Sequence, residues 1–535
     1  MTSRGSSQRL SADADNANAA RIGAWLIVIL LIPRVLRMLY SEIWVEDDFY
    51  LESAWLVSVG MRPYLDFVHP HMPLLEWIAA GYLKLFGASY RSIEFLNEAA
   101  IFATSLLTFS LARRVAGRPA AIAASILYAW SSLAFRYHAY ERECFVAPLL
   151  VLAAIVTLDD AMPAMRQAVI LAAIFFFACA IKLTAVIAFP VMLLFIAIPS
   201  SRAEARATYR IAAAIAAGVI FTIALGAFTA LLYWLYGNEF IFQTFIFHFM
   251  KGTDTALDIA MFPRMVLDVL APLLVLGIIR LVGERTFSRG VVLTVAIVAV
   301  EYAFYGALSP TAWAHNYLEA LPFIAIVAAI GLMSVITDVR AQFAGEAEPH
   351  AWLLVAGRVA LIVIFLGWIT PIVNDSWLHG AVYGFGYVPR AEATQIADAL
   401  RAASKPGDEV IAPSFVCFEA NRRELIRYPE TYGVYREAKA EFDRNGFFAA
   451  RRRLGSADFF QLISDTRHYW TDEMRAAIAS GKVSAVISDS PLQLLPLVLV
   501  PEDFLTANGF RPTFTTDHFA LWTRTPAAPP AQPAR

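Results

Sequence analysis

Eleven times this 535-residue chain runs through a predominantly apolar block, and that repetition limits it to a fold that lives in a bilayer. The blocks lie at about 22–38, 94–112, 119–135, 144–158, 166–181, 183–199, 211–236, 265–281, 290–308, 317–336 and 352–372. A helix needs roughly 20 apolar residues to cross a hydrocarbon core ~30 Å thick, so most of these can span it. Composition agrees: 59% of residues are hydrophobic, 16% charged, and mean hydropathy is +0.57, against roughly half and a quarter in soluble domains. The expected fold class is a polytopic α-helical membrane protein of about eleven transmembrane helices. A net charge of −2 gives no reason to expect a nucleic-acid partner. The three cysteines, Cys144, Cys179 and Cys417, imply no disulfide framework.

Charge placement orients the chain. With the N-terminus in the cytoplasm, Arg113, Arg114, Arg118, Arg166, Arg202, Arg206, Arg210, Arg280, Arg285, Arg289 and Arg340 all fall in cytoplasmic loops, as the positive-inside rule expects. Residues 1–21 then form a cytoplasmic segment without a cleavable signal pattern, and 22–373 the membrane domain. In the first outer loop, 41–92, segments 49–60 and 72–86 carry one-sided apolar residues. They read as interfacial helices with Trp55 and Trp77 at headgroup depth. The Phe-rich loop 237–264 reads similarly. Residues 374–525 hold no spanning block; a helix at 390–403 and strands at 409–412, 484–488 and 519–523 predict a small α/β domain on the outer face. A Pro/Ala tail, 526–535, is expected to be disordered.

The chemistry-bearing residues gather on the outer side. Glu46-Asp47-Asp48 leaves the first span just ahead of a helix. Such acids can cap that helix, act as a general base or supply hard oxygen ligands to a cation. Tyr140-Glu141-Arg142-Glu143 precedes the span starting at Cys144, where the glutamates can pair with Arg136 and Arg142 or Glu143 can serve a site. Lys182, Lys251, Arg264 and His315 are the basic counterparts; each can snorkel to headgroups, and together they can neutralise a lipid-linked phosphate. His69 and His71 can join them. Glu301 stands apart, inside a span.

Taken in order, these features resemble the GT-C superfamily of integral-membrane glycosyltransferases, in the branch of protein O-mannosyltransferases and the lipid A aminoarabinose transferase. An acidic pair followed by an aromatic residue early in the first outer loop is matched by Glu46-Asp47-Asp48-Phe49-Tyr50. Gly60–Leu74, with Pro63, Tyr64, Asp66, His69, Pro73 and Leu74, matches the next stretch; Glu143, Lys182 and the segment from His315 to Pro322 come after it. The resemblance covers residues 20–335. It implies a polyprenyl-phosphate sugar donor, an acceptor hydroxyl on an envelope lipid, glycan or protein, and inverting transfer on the outer face of a bacterial inner membrane. Asp47 is expected as the base, with Glu46 and Asp48 as its alternatives. Glu143 joins them as a catalytic carboxylate, and Lys182, His315, Arg264, His69, Tyr64 and Asp66 are expected to bind donor and substrate. No cofactor is expected and no divalent cation is expected to be required. The readings of another kind are a lipid-linked sugar flippase or transporter, which the absence of an internal repeat disfavours, and a ligase using a diphosphate-linked glycan.

Overall fold

The computed structural model describes residues 4–40, 43–44, 48–132, 140–198, 207–252, 268–284, 287–307, 309, 314–344, 356–357, 387–425, 429–489 and 500–524. Helix α1 (Arg4–Tyr40) carries the first apolar block in its second half. A two-residue strand, β1 (Ile43–Trp44), leads to the short helices α2 (Asp48–Ser58) and α3 (Leu74–Phe86). The next two blocks form α4 (Tyr90–Ser131), which folds back on itself where Gly117 takes φ 82°. Glycine suits that left-handed value because it has no Cβ to clash, and Phe102 and Phe109 before the bend pack with Ile122 and Ile126 after it. Next in order are helices α5 (Arg142–Thr157), α6 (Ala164–Ile181), α7 (Phe189–Ala197), α8 (Ala207–Ile241), α9 (Asp268–Glu284), α10 (Arg289–Ala307) and α11 (Leu321–Phe343). Among the described residues six helices are long and apolar enough to cross a membrane, and 183–197 and 273–283 are shorter apolar helices. The eleventh block, 352–372, lies almost wholly outside the described residues.

Two local features shape the membrane domain. The run 166–199 breaks into two helices at Lys182, whose backbone is extended (φ −145°, ψ 113°) before a 3-10 turn, Leu183–Ala188. Helices α9 and α11 cross through glycines. A Cβ on Gly277 would run into the Val327 carbonyl, and one on Gly331 into that of Leu273. Lipid tails are as apolar as side chains, so close backbone contact of this kind takes over the role that water-driven burial plays in soluble cores.

Beyond residue 387 the texture is mixed, as composition predicts. Strand β2 (Tyr387–Val388) pairs antiparallel with β1, joining the C-terminal region to the exit of the first span. Helix α12 (Arg390–Ala403) occupies the stretch read as helical. After it come β3 (Glu409–Val410), α13 (Ser414–Ala420), β4 (Arg423–Glu424), α14 (Pro429–Leu454), α15 (Phe459–Thr466), α16 (His468–Ser480), β5 (Ala485–Asp489), α17 (Glu502–Ala507), β6 (Phe510–Thr515) and β7 (Phe519–Arg524). The last three strands make an antiparallel sheet in the order β5-β7-β6. Helix α13 lies on α2, and this corrects the reading of Trp55: it is 2% exposed, edge-on to Phe418 at 6.3 Å, not at headgroup depth. The apolar stripe of α2 faces protein instead of lipid. Trp77 is half-buried against Phe228, and the Phe-rich segment buries Phe240, Phe242 and Phe247, with Phe242 and Phe247 packed against α14.

Candidate functional site

Glu143 and Lys182 meet. The α6 break aims the lysine back across the bundle. Its Nζ donates to Glu143 Oε1 at 2.7 Å, to Glu319 Oε1 at 2.7 Å and to the Tyr305 hydroxyl at 2.9 Å. Asn316 Nδ2 donates to the same Glu143 oxygen at 2.9 Å, and Thr184 Oγ1 reaches the Tyr305 hydroxyl at 3.0 Å. Glu319 closes the 3-10 turn Ala314–Glu319 that leads into α11. Lys182 is only 7% exposed, and Glu143 and Glu319 are buried. One cation thus answers two carboxylates out of water, with buried Glu301 adding a third in electrostatic reach. Buried charge is tolerated when paired, and here Lys182 is shared between two carboxylates.

The residue beside Glu143 has a different task. Buried Arg142 donates both Nη groups to the Glu76 carboxylate, and Nη1 also reaches the carbonyls of Met72 (3.1 Å) and Ile181 (3.2 Å). His69 Nε2 lies 3.4 Å from Glu76 Oε2, and the His69 amide donates to Gln243 Oε1 at 2.8 Å. The guanidinium sits over the Tyr50 ring, 4.7 Å from its centroid, and the Tyr50 hydroxyl contacts His71 Nε2 at 3.1 Å. Burial alone would raise the Glu76 pKa, but Arg142 and then His69 hold it below the ordinary carboxylate range. Burial lowers His69 against the pull of Glu76, and burial with Arg142 lowers His71 well below the usual histidine value. The network ties α3, α5 and the end of α6 together, so it fixes the frame on which Glu143 and Lys182 stand.

A third charged group joins α1 to α4. Arg34 Nη1 and Arg37 Nε lie 2.8 and 3.0 Å from the two Glu98 oxygens, and Arg34 also donates to Ser132 Oγ at 2.8 Å. Two arginines share one carboxylate, with buried Glu94 in electrostatic reach of it.

The other expected residues are scattered. Glu46, Asp47 and Arg264 lie outside the described residues. Asp48 opens α2, His315 lies in the 3-10 turn beside Asn316, and only their backbones are described. Tyr64 is buried with φ 67°, its hydroxyl donating to the His71 carbonyl at 2.6 Å. Asp66 is held by Arg62 through Nη2 at 3.1 Å and the amide at 2.7 Å, in an exposed pair. Tyr64 and Asp66 therefore shape the 60–74 loop. Arg142 and Glu143 do not form the surface pair that adjacency allows, since Arg142 is held by Glu76 and Glu143 by Lys182; Arg136 lies outside the described residues. Glu76, Glu319, Tyr305, Arg34, Arg37 and Glu98 were not singled out by their spacing. For Arg34 a signal existed: a charge inside an apolar span marks a functional position. Among the described residues no group of three or more His, Cys, Asp or Glu side chains has metal-binding geometry.

The profile of the dolichyl-phosphate-mannose-protein mannosyltransferase family matches residues 68–237. ArnT from Cupriavidus metallidurans superposes with a TM-score of 0.60 in two crystal structures. The one bound to undecaprenyl phosphate is 11% identical and covers 96% of this chain and 98% of its own; the apo state is 12% identical over 95% and 98%. The Archaeoglobus fulgidus oligosaccharyltransferase in its apo form gives 0.46 at 13% identity, over 87% of this chain and 69% of its own. No curated protein sequence matches the chain. The fold is a polytopic helical membrane fold similar to that of ArnT, with a small C-terminal α/β region. The likeness to the mannosyltransferase family lies in residues 68–237, and the likeness to ArnT is one of fold.

Proposed function

We propose that this protein is a membrane glycosyltransferase that moves a sugar from a polyprenyl-phosphate donor to a hydroxyl of an envelope lipid, glycan or protein. The observation that carries the reading is the buried Glu143–Lys182–Glu319 cluster, held within a fold shared with ArnT over nearly the whole chain. The acceptor hydroxyl is a poor nucleophile until a carboxylate takes its proton. Asp47 is proposed for that step, with Glu46 and Asp48 beside it in sequence, while Glu143 is the fixed carboxylate of the site. As the anomeric carbon bonds to the acceptor oxygen, its bond to the phosphate oxygen breaks and that oxygen leaves with the electron pair. Attack opposite the leaving group inverts the anomeric carbon. Fixed cations lower this barrier. His315, Arg264 and the Arg34/Arg37 pair are proposed to neutralise the leaving phosphate. Lys182 reaches it only by exchanging a carboxylate partner. The site is proposed to face the periplasm of a bacterial inner membrane, with the N-terminus cytoplasmic and transfer independent of divalent metal.

The test is transfer by the purified full-length chain from a labelled polyprenyl-phosphate sugar. Asp47→Asn is expected to lower turnover by on the order of 10²–10⁴-fold with donor affinity kept. Near wild-type turnover in that variant removes Asp47 as the base.

A further inference from the structure

Glu301 makes no hydrogen bond in the network that surrounds it. It lies in α10 one helical turn before Tyr305, whose hydroxyl meets Lys182, so the two side chains share a face of that helix. That side of α10 packs on the 3-10 turn that carries Glu319: the Tyr302 and Tyr305 rings stand 4.8 and 5.7 Å from the Tyr317 ring. Glu301 is 0% exposed, and neither of its carboxylate oxygens has a hydrogen-bond partner among the described residues. Two charged groups reach it electrostatically, Glu319 and Lys182. The lysine has no donor left to offer, because its three N–H groups go to Glu143 Oε1, Glu319 Oε1 and the Tyr305 hydroxyl. Tyr302, Tyr305 and Tyr317 are phenols, which add no charge near neutral pH.

We propose, resting on the reading of this cluster as a glycosyltransferase site, that Glu301 is a neutral carboxylic acid in the folded protein and that its neutrality keeps Lys182 between Glu143 and Glu319. An ionised carboxylate with no donor on either oxygen is among the costliest groups to bury, and the like charge of Glu319 alongside adds to that cost. A bound proton removes both penalties. Were Glu301 ionised, three carboxylates would compete for one lysine, and Glu143 would lose its fixed partner. Glu301 is thus a positioning residue that acts through Lys182. An apolar side chain in its place would be neutral at every pH. The acid makes the assembled cluster pH-dependent: intact while the proton is held, and loosened when alkali removes it.

The test compares the full-length wild type with Glu301→Gln and Glu301→Met, both permanently neutral. The infrared difference spectrum, wild type minus Glu301→Gln at neutral pH, is expected to show the C=O band of a protonated carboxylic acid, which gives way to carboxylate bands as pH rises. Carboxylate bands already present at neutral pH overturn the neutral acid. Failure of both variants to fold overturns it too, since only a buried charge held by a partner is irreplaceable by neutral side chains. In transfer from a labelled polyprenyl-phosphate sugar, both variants are expected to match the wild-type kcat at neutral pH. They are also expected to escape an alkaline loss of about tenfold in the wild type, the size expected from misplacing Lys182. An alkaline loss of the same position and depth in all three proteins overturns the positioning role. The spectrum needs no substrate, so wild-type protein without transfer activity overturns the glycosyltransferase reading while the acid band still decides Glu301.

Discussion

Arg142 and Glu143 are neighbours in the chain and belong to different charge networks. Around Arg142 the charges balance: one guanidinium, one carboxylate, and histidines kept neutral by burial, with further bonds to two carbonyls. Around Glu143 one cation is shared, since Lys182 faces Glu143 and Glu319 together. A balanced buried pair is a joint, which costs most when half of it is removed. A cluster in which one buried lysine serves two carboxylates is an arrangement that functional sites collect. The contrast separates frame from site one residue apart.

Breaking the frame is expected to have the largest effect. Arg142→Met leaves Glu76 buried without its cation and should cost about 3–5 kcal/mol, read as a lower unfolding temperature and poor recovery of folded protein in detergent. A variant of normal stability would dissolve the distinction. Glu143→Gln should do the reverse, lowering kcat by about 10²-fold or more while the unfolding temperature holds within a few degrees. Loss of stability instead of rate would move Glu143 into the frame. Lys182→Met sharpens the boundary: it removes the cation that orients Glu143, so kcat should fall about tenfold with donor affinity nearly kept. A tenfold loss of donor affinity at constant kcat would assign Lys182 to the phosphate.

The smallest effect is expected from acid. His69 and His71 titrate below the ordinary 6.5 in the folded state, so the unfolded chain binds protons first as pH falls through that value. Stability should therefore drop below about pH 6.5, by at most about 1.4 kcal/mol per pH unit for each histidine. Glu76, held below its usual 4.5, gives up its contribution only at lower pH. His69→Asn should flatten the upper part of the curve; an unchanged slope would take His69 out of the balance.

Much of this could be read before any coordinates. Apolar blocks located the spans because period and length are local properties, and the helix at 390–403 and the strands near 409, 485 and 519 were legible for the same reason. Strand β6 and the helices between β3 and β5 were not read, since short elements of a mixed region lack a strong period. Glu143 and Lys182 were legible as ionisable groups at span ends. Their pairing was not, because the lysine lies 39 residues from one carboxylate and 137 from the other. Glu76 was not singled out within the 72–86 segment, because its partner Arg142 lies 66 residues on.

Sequence alone thus determined that this protein lives in a membrane and which blocks of the chain form its apolar helices. These conclusions rest on side-chain transfer energies, which need no knowledge of neighbours. Only the tertiary structure decided which charges balance, that Trp55 is covered by α13 and not by lipid, and that β2 returns to pair with β1. A buried charge or an open strand edge is satisfied by whatever group the packed fold brings to it, and that group comes from far along the chain.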